Sequence, residues 1–204
     1  RVVTQDSSHA SVILVNRGGD GGAGVVLGDD TQRLLNLGEI RGGNAGTGGP
    51  SGLGQGGIGV QATGNGTIVT QQGTIIAGLD GNGNRGVAVS LLGTGNTLVL
   101  TQGSTTLGDV VFSASGGNRL QIGGGSTATV ALTGNLTFGT TGLYSVRATP
   151  TAMDRLDVSG QAALAGATVE VAAQAGTSNQ QFRPGGVTPG GPLLGARLSR
   201  GVSF

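Results

Sequence analysis

Residues 136–171 read LTFGTTGLYSVRATPTAMDRLDVSGQAALAGATVEV. Apolar and polar side chains alternate over short runs (Leu143 and Val146; Leu156 and Val158; Val169 and Val171), and Gly or Pro cuts the runs at close intervals. A period of two builds a half-buried strand, and the interruptions build turns. Helices are disfavoured along the whole chain. No window keeps the i, i+3, i+4, i+7 apolar spacing without an interior Gly, and each such Gly costs a helix about 1 kcal/mol. Strand-like runs recur instead at 12–15, 24–27, 34–37, 67–69, 74–77, 87–91, 97–100, 109–112, 119–122 and 128–132. A chain of this kind must bury its apolar faces strand against strand.

The runs repeat. Gly-Asn-Thr-Leu-Val-Leu at 95–100 returns as Gly-Asn-Arg-Leu-Gln-Ile at 117–122, and Asp-Arg-Leu-Asp-Val at 154–158 reads as a third copy. A second motif runs Gly-Glu-Ile-Arg-Gly-Gly at 38–43, Gly-Thr-Ile-Ile-Ala-Gly at 73–78 and Gly-Ser-Thr-Thr-Leu-Gly at 103–108. Repeats of a few short strands cannot bury an apolar face alone, and stacking on neighbours does so. The spacing predicts rungs of about 18–22 residues. It places Leu98 and Leu120 in one interior column, with Leu156 in the same or an adjacent one. The Asn residues tolerate left-handed backbone and can stack as polar ladders.

Composition fits a stacked aliphatic core. Glycine supplies 45 of 204 residues, aromatics 2% and charged residues 10%, while hydrophobic residues reach 36%. Disordered chains combine low hydrophobicity with high net charge, and this chain has neither. The net charge is +1 with no basic run, so the electrostatic footprint of a nucleic-acid binder is missing. Cysteine is absent, which excludes disulfides and thiolate sites and suits a chain that crosses membranes unfolded. The early apolar run at 12–15 is too short for a signal or a membrane span. The chain begins at Arg1 and is expected to be an internal or processed fragment with its export signal elsewhere.

Residues 136–171 also resemble the C-terminal cap of bacterial autotransporter passenger domains. The matching residues are Tyr144, Val146, Asp154, Leu156, Val158, Gly160, Leu164, Gly166, Val169 and Val171. The middle of the chain resembles the rungs of the same family at 36–40, 86–88 and 96–100, so the resemblance covers 34–177. It implies an all-β fold, a right-handed single-stranded parallel β-helix (solenoid) with a partial C-terminal cap. Residues 1–135 are expected as rungs, with a Gly-rich loop at 41–59 leaving the helix. Residues 136–177 are expected as an autochaperone-like cap, its contacts supplied by Leu143, Tyr144, Leu156, Val158, Leu164 and Val169. Residues 178–204, with three of the five prolines, depart from the family and are expected as an irregular tail. The implied role is non-enzymatic: a type V secreted or cell-surface stalk that presents loops, passing through periplasm and outer membrane. Its implied partner is its own outer-membrane β-barrel translocator, absent from this chain, with a host or neighbouring cell surface as a further one. The alternatives are a β-helical polysaccharide-acting enzyme of tailspike or pectin-lyase type, and a Gly-rich calcium-ordered secreted segment.

Motifs that carry chemistry elsewhere meet plainer readings here. Gly19-x-Gly21-x-x-Gly24 matches a dinucleotide fingerprint, with Glu39 near the place of a ribose-binding acid, yet the fingerprint needs a helix next and Val25-Val26-Leu27 reads as a strand. It is read as a turn between rungs, with no nucleotide and no cofactor. Asp80, Asn82 and Asn84 alternate oxygen ligands as a calcium loop does, but Arg85 and Leu91 stand where such a loop has Gly and Glu. They are the one metal candidate, set against an Asn-rich turn. The 18–22 stretch lacks the Asp of a calcium nonapeptide at Ala23. Arg17-Gly18-Gly19 and Arg41-Gly42-Gly43 lack the aromatics of RNA-binding boxes. His9 is the single histidine, beside Ser7, Ser8 and Ser11, with no Gly-x-Ser-x-Gly motif. The carboxylate pairs Asp29–Asp30 and Asp154–Asp157 each point to opposite faces of a strand, which disfavours paired acid–base work. No catalytic residue is assigned.

Overall fold

The computed structural model describes residues 2–4, 19–46, 54–114, 116–124, 126–164, 166–173, 187–189 and 197–199. Among them every regular element is a strand. A first strand, β1 (Val2–Thr4), precedes a succession of three-strand rungs. The first rung is β2 (Val25–Leu27), β3 (Arg33–Asn36) and β4 (Glu39–Arg41). The second is β5 (Val60–Ala62), β6 (Ile68–Gln71) and β7 (Thr74–Ile76). The third is β8 (Val87–Leu91), β9 (Thr97–Leu100) and β10 (Thr105–Leu107). The fourth is β11 (Asp109–Phe112), β12 (Arg119–Ile122) and β13 (Thr129–Thr133). The fifth is β14 (Leu136–Thr137), β15 (Leu143–Ala148) and β16 (Arg155–Val158). The sixth is β17 (Ala162–Ala163), β18 (Thr168–Ala173) and β19 (Val187–Pro189), and β20 (Arg197–Ser199) follows.

Strands of equivalent position stack. One sheet runs β2-β5-β8-β11-β14-β17, a second β3-β6-β9-β12-β15-β18-β20, and a third β4-β7-β10-β13-β16-β19. Every pairing is parallel except that of β1, which lies antiparallel on β3 at one end of the second sheet. This is a parallel β-helix. Side chains alternate inward and outward, as a period of two requires. Inward columns run Leu34–Val69–Leu98–Leu120–Tyr144–Val169 in the second sheet and Val25–Val60–Val89–Val110–Leu136–Ala162 in the first. Most of these residues are fully buried, each worth about 1.5–3 kcal/mol of transfer for the larger aliphatics. Phe112 and Phe138 meet edge to face with ring centroids 4.5 Å apart, the favoured geometry for an aromatic pair.

Leu98 and Leu120 share a column, as the repeat predicts. Leu156 does not join them. It is buried in the third sheet, opposite Val130, while the second sheet continues through Tyr144. The Asn96–Asn118 step is 22 residues, within the expected rung length, but earlier rungs are longer: equivalent positions lie 35 residues apart at Asn36–Gln71 and 29 at Thr67–Asn96. The extra length is glycine-rich chain at the corners. Residues 41–46 and 54–59, expected within a loop leaving the helix, instead bond to neighbouring rungs. Residues 47–53 lie outside the described residues, as does the run at 12–15. Two stretches of the tail depart from the irregular form expected there. β19 extends the third sheet on β16, and β20 extends the second on β18. The edge strands of a growing solenoid offer unpaired N–H and C=O groups that a short extended segment satisfies.

Candidate functional site

Polar side chains tie one rung to the next at the corners. Asn118 Oδ1 accepts the N–H of Asn96 at 2.8 Å, and Asn96 Oδ1 accepts that of Thr67 at 2.7 Å. Their amide nitrogens donate to the carbonyls of Gly93 and Gly64. Both Asn residues are buried, so each bond satisfies a group that would otherwise cost about 1–3 kcal/mol. Exposed ladders repeat the device: Asp30 Oδ1 accepts from Asn65, and Asn65 Oδ1 from Thr94; Asp109 Oδ1 accepts from Asn135, and Asn135 Oδ1 from Gln161. Asp30 is thereby a ladder foot, and Asp29 accompanies it in an exposed turn.

Asp154 and Asp157 face apart, inward and outward. Asp154 is wholly buried, and its carboxylate accepts from the N–H groups of Ala128 and Arg147 and from the Arg147 guanidinium at 2.9 and 3.0 Å. Arg147 also donates to the carbonyls of Gly124 and Ser126. One buried ion pair thus joins β13, β15 and β16. Beside it, Tyr144 is buried, and desolvation, then the charges of Asp154 and Asp157, push its hydroxyl well above the ordinary tyrosine value. Asp157 pairs with Arg155 on the solvent face.

The largest departure from sequence reasoning lies at 19–24, 41–46, 54–59 and 76–81. Gly21 and Gly24 donate to the carbonyls of Gln55 and Ile58; Gly43 and Gly46 to Gly22 and Gly19; Gly42 and Ala45 to Ile76 and Leu79; Gly78 and Gly81 to Gly57 and Gly54. Every donor pair is three residues apart. Three residues per turn, with no bonds inside a segment, is the polyproline-II helix. Four such segments therefore form a small bundle in which backbone meets backbone. A Cβ on Gly21, Gly42, Gly57 or Gly78 would lie 1.8–2.0 Å from a neighbouring carbonyl oxygen. The Gly19-x-Gly21-x-x-Gly24 motif is one of these segments, and strand β2 follows it. Gly42 and Gly43 of the second Arg-Gly-Gly sequence lie in the bundle, and Arg41 pairs with Glu39 on the exposed face of β4.

Beside the bundle runs a groove of about 630 Å³. Its lining combines small and apolar residues (Ala23, Gly56, Ile58, Val87), the amides Gln55 and Gln61, and the charged residues Asp20, Asp80 and Arg85. Asp20 Oδ1 accepts the N–H of Gln55, and Arg85 donates to the carbonyl of Ala77. Of the calcium candidates, Asp80 lines this groove. Asp80 Oδ1 accepts the N–H groups of Asn82 and Asn84 at 2.8 Å, and Oδ2 accepts the Asn84 side-chain amide at 3.3 Å. The Asn84 N–H leads in holding the Asp80 carboxyl below its ordinary value. A cation would compete with these donors for the same oxygens. Among the described residues no group of three His, Cys, Asp or Glu converges on a metal position. His9, Ser7, Ser8 and Ser11 lie outside the described residues. Compared with known protein families, curated proteins and solved structures, the chain matches none.

Proposed function

We propose that the chain is the β-helical stalk of an autotransporter passenger, carried to the cell surface or medium by its own outer-membrane barrel, and that it works without catalysis by presenting loops. The observation behind this reading is the unbroken parallel stacking from β3 to β18. It yields a stiff rod of about 24 Å over five steps of about 4.8 Å, with its glycine-rich corners gathered beside the early rungs. The cap-like segment supports the second half of the proposal. Residues 136–173 continue all three sheets, and the Arg147–Asp154 pair fixes three of their neighbouring strands. Such a segment supplies a stacked template for the rungs before it, the role of a folding nucleus at the end that emerges first.

The test places residues 1–204 between a signal peptide and an outer-membrane barrel in a Gram-negative host. Surface exposure, read by protease added to intact cells, is expected for the full chain, along with a protease-resistant core. Deleting 136–177 is expected to leave the exposed chain protease-sensitive. A full chain that stays inside the cell overturns the stalk, and equal resistance without 136–177 overturns the nucleating cap.

A further inference from the structure

In a polyproline-II segment each residue points one of three ways. Segment 54–59 uses two of them inside the bundle: Gln55 and Ile58 face 19–24, and Gly54 and Gly57 face 76–81. The carbonyl of Gly56 is bonded to neither, and Gly56 lines the 630 Å³ groove, while a Cβ there would meet the Gly78 carbonyl oxygen at 2.3 Å. The N–H and C=O of Gly56 and the N–H of Ile58 have no hydrogen-bond partner among the described residues. On the facing segment Ala23 also lines the groove.

We infer that this groove binds one more polyproline-II strand, a glycine- and proline-rich peptide segment of a partner. Where Gly21, Ala23, Gly56, Gly57 and Gly86 line the groove no side chain is larger than a methyl group, so a ligand backbone can approach there between the apolar side chains of Ile58 and Val87. The open groups of Gly56 and Ile58 extend the bonding pattern of the bundle's own segments. A polyproline-II ligand leaves its own N–H and C=O groups free, so they can pair with these groups and with the amides of Gln55 and Gln61. Being preformed, it loses little entropy on docking. The inference stands on the bundle alone and does not rest on the stalk reading.

The full chain, labelled with ¹⁵N, is titrated with a peptide of repeated Pro-Gly-Gly. Amide shifts are expected at Ala23, Gly56, Ile58 and Gln61. Ala23→Trp fills the groove, and it is expected to weaken binding by about tenfold or more. Thr137→Trp, on an exposed strand of another rung, is expected to bind as the parent does. Unchanged sheet amides in both variants show that the fold is kept. The inference fails if saturating peptide shifts no groove amide, if Ala23→Trp binds as well as the parent, or if an oligosaccharide or a Thr-Val repeat peptide shifts the same amides equally.

Discussion

Gly57→Ala tests whether the glycine bundle is a packed element. The new Cβ would lie 2.0 Å from the carbonyl oxygen of Gly22 and 2.8 Å from that of Gly21. Real Cβ contacts begin near 3.0 Å, so the segments must part by about 1 Å, and both neighbours are backbone with no side chain to swing aside. Three bonds share this contact: Gly43 N–H to Gly22, Gly57 N–H to Gly43, and Gly78 N–H to Gly57, each 2.8 Å. At a net of about 0.5–1.5 kcal/mol per bond, loosening all three costs about 2–4 kcal/mol. The lower backbone entropy of unfolded Ala returns about 0.4–1 kcal/mol. A net loss of about 2–3 kcal/mol is expected, or a fall of about 4–12 °C in Tm for a chain of this size. Gly28→Ala is the control. No atom lies within 4 Å of its Cβ position, and its φ is outside the left-handed region, so a gain of about 0.4–1 kcal/mol is expected. Urea denaturation followed by far-UV circular dichroism reads both. Two variants within about 0.5 kcal/mol of each other would refute the packed bundle.

Asp154→Ala removes the carboxylate partner of the half-buried Arg147 guanidinium and strands the N–H groups of Ala128 and Arg147, so denaturation should show a loss of about 3 kcal/mol or more. Asp157→Ala breaks an exposed pair and should cost under about 1 kcal/mol; equal losses would deny the clamp. The single tyrosine gives an alkaline readout. Because the folded Tyr144 hydroxyl titrates above its unfolded value of about 10, the stability it contributes is complete below that pH and lost as pH rises toward the folded value. Tyrosinate absorbance should therefore rise together with loss of circular dichroism; ionisation near pH 10 with the fold intact contradicts the buried environment. Asn82-Gly83 and Asn65-Gly66 are both exposed, but Asn65 is held by Asp30 and Thr94, and the Asn82 side chain has no partner among the described residues. Peptide mapping after mild alkaline incubation should show deamidation first at Asn82; equal rates would show that the ladder does not restrain Asn65.

Strand positions are legible wherever burial on one face imposes alternation. The runs at 87–91, 97–100, 109–112 and 119–122 coincide with β8, β9, β11 and β12. The sheet to which a strand belongs is not legible in the same way. Asn96, Asn118 and Asp154 each stand immediately before a strand, and each accepts the N–H of the residue before the strand one rung earlier: Thr67, Asn96 and Ala128. The similarity of 154–158 to 117–122 therefore marks a shared bonding device and not a shared column. The same local chemistry serves two corners, and only the path of the chain between them separates Leu156 from Leu120.

Glycine misleads for a related reason. Read as corners, the glycines should favour left-handed backbone, and Gly66, Gly83, Gly95 and Gly103 do have positive φ. Gly21, Gly24, Gly42, Gly54, Gly57 and Gly78 do not. Their backbone angles are open to any residue, and what they need is the absence of a Cβ where a carbonyl oxygen approaches. Glycine can thus be required by conformation or by contact, and composition reports the two alike. The distinguishing signal is spacing. Gly21 and Gly24, Gly43 and Gly46, Gly54 and Gly57, and Gly78 and Gly81 all stand three apart, the period of a polyproline-II segment. A period of three between strands of period two marks chain that packs through its backbone, and in this protein that chain borders the 630 Å³ groove.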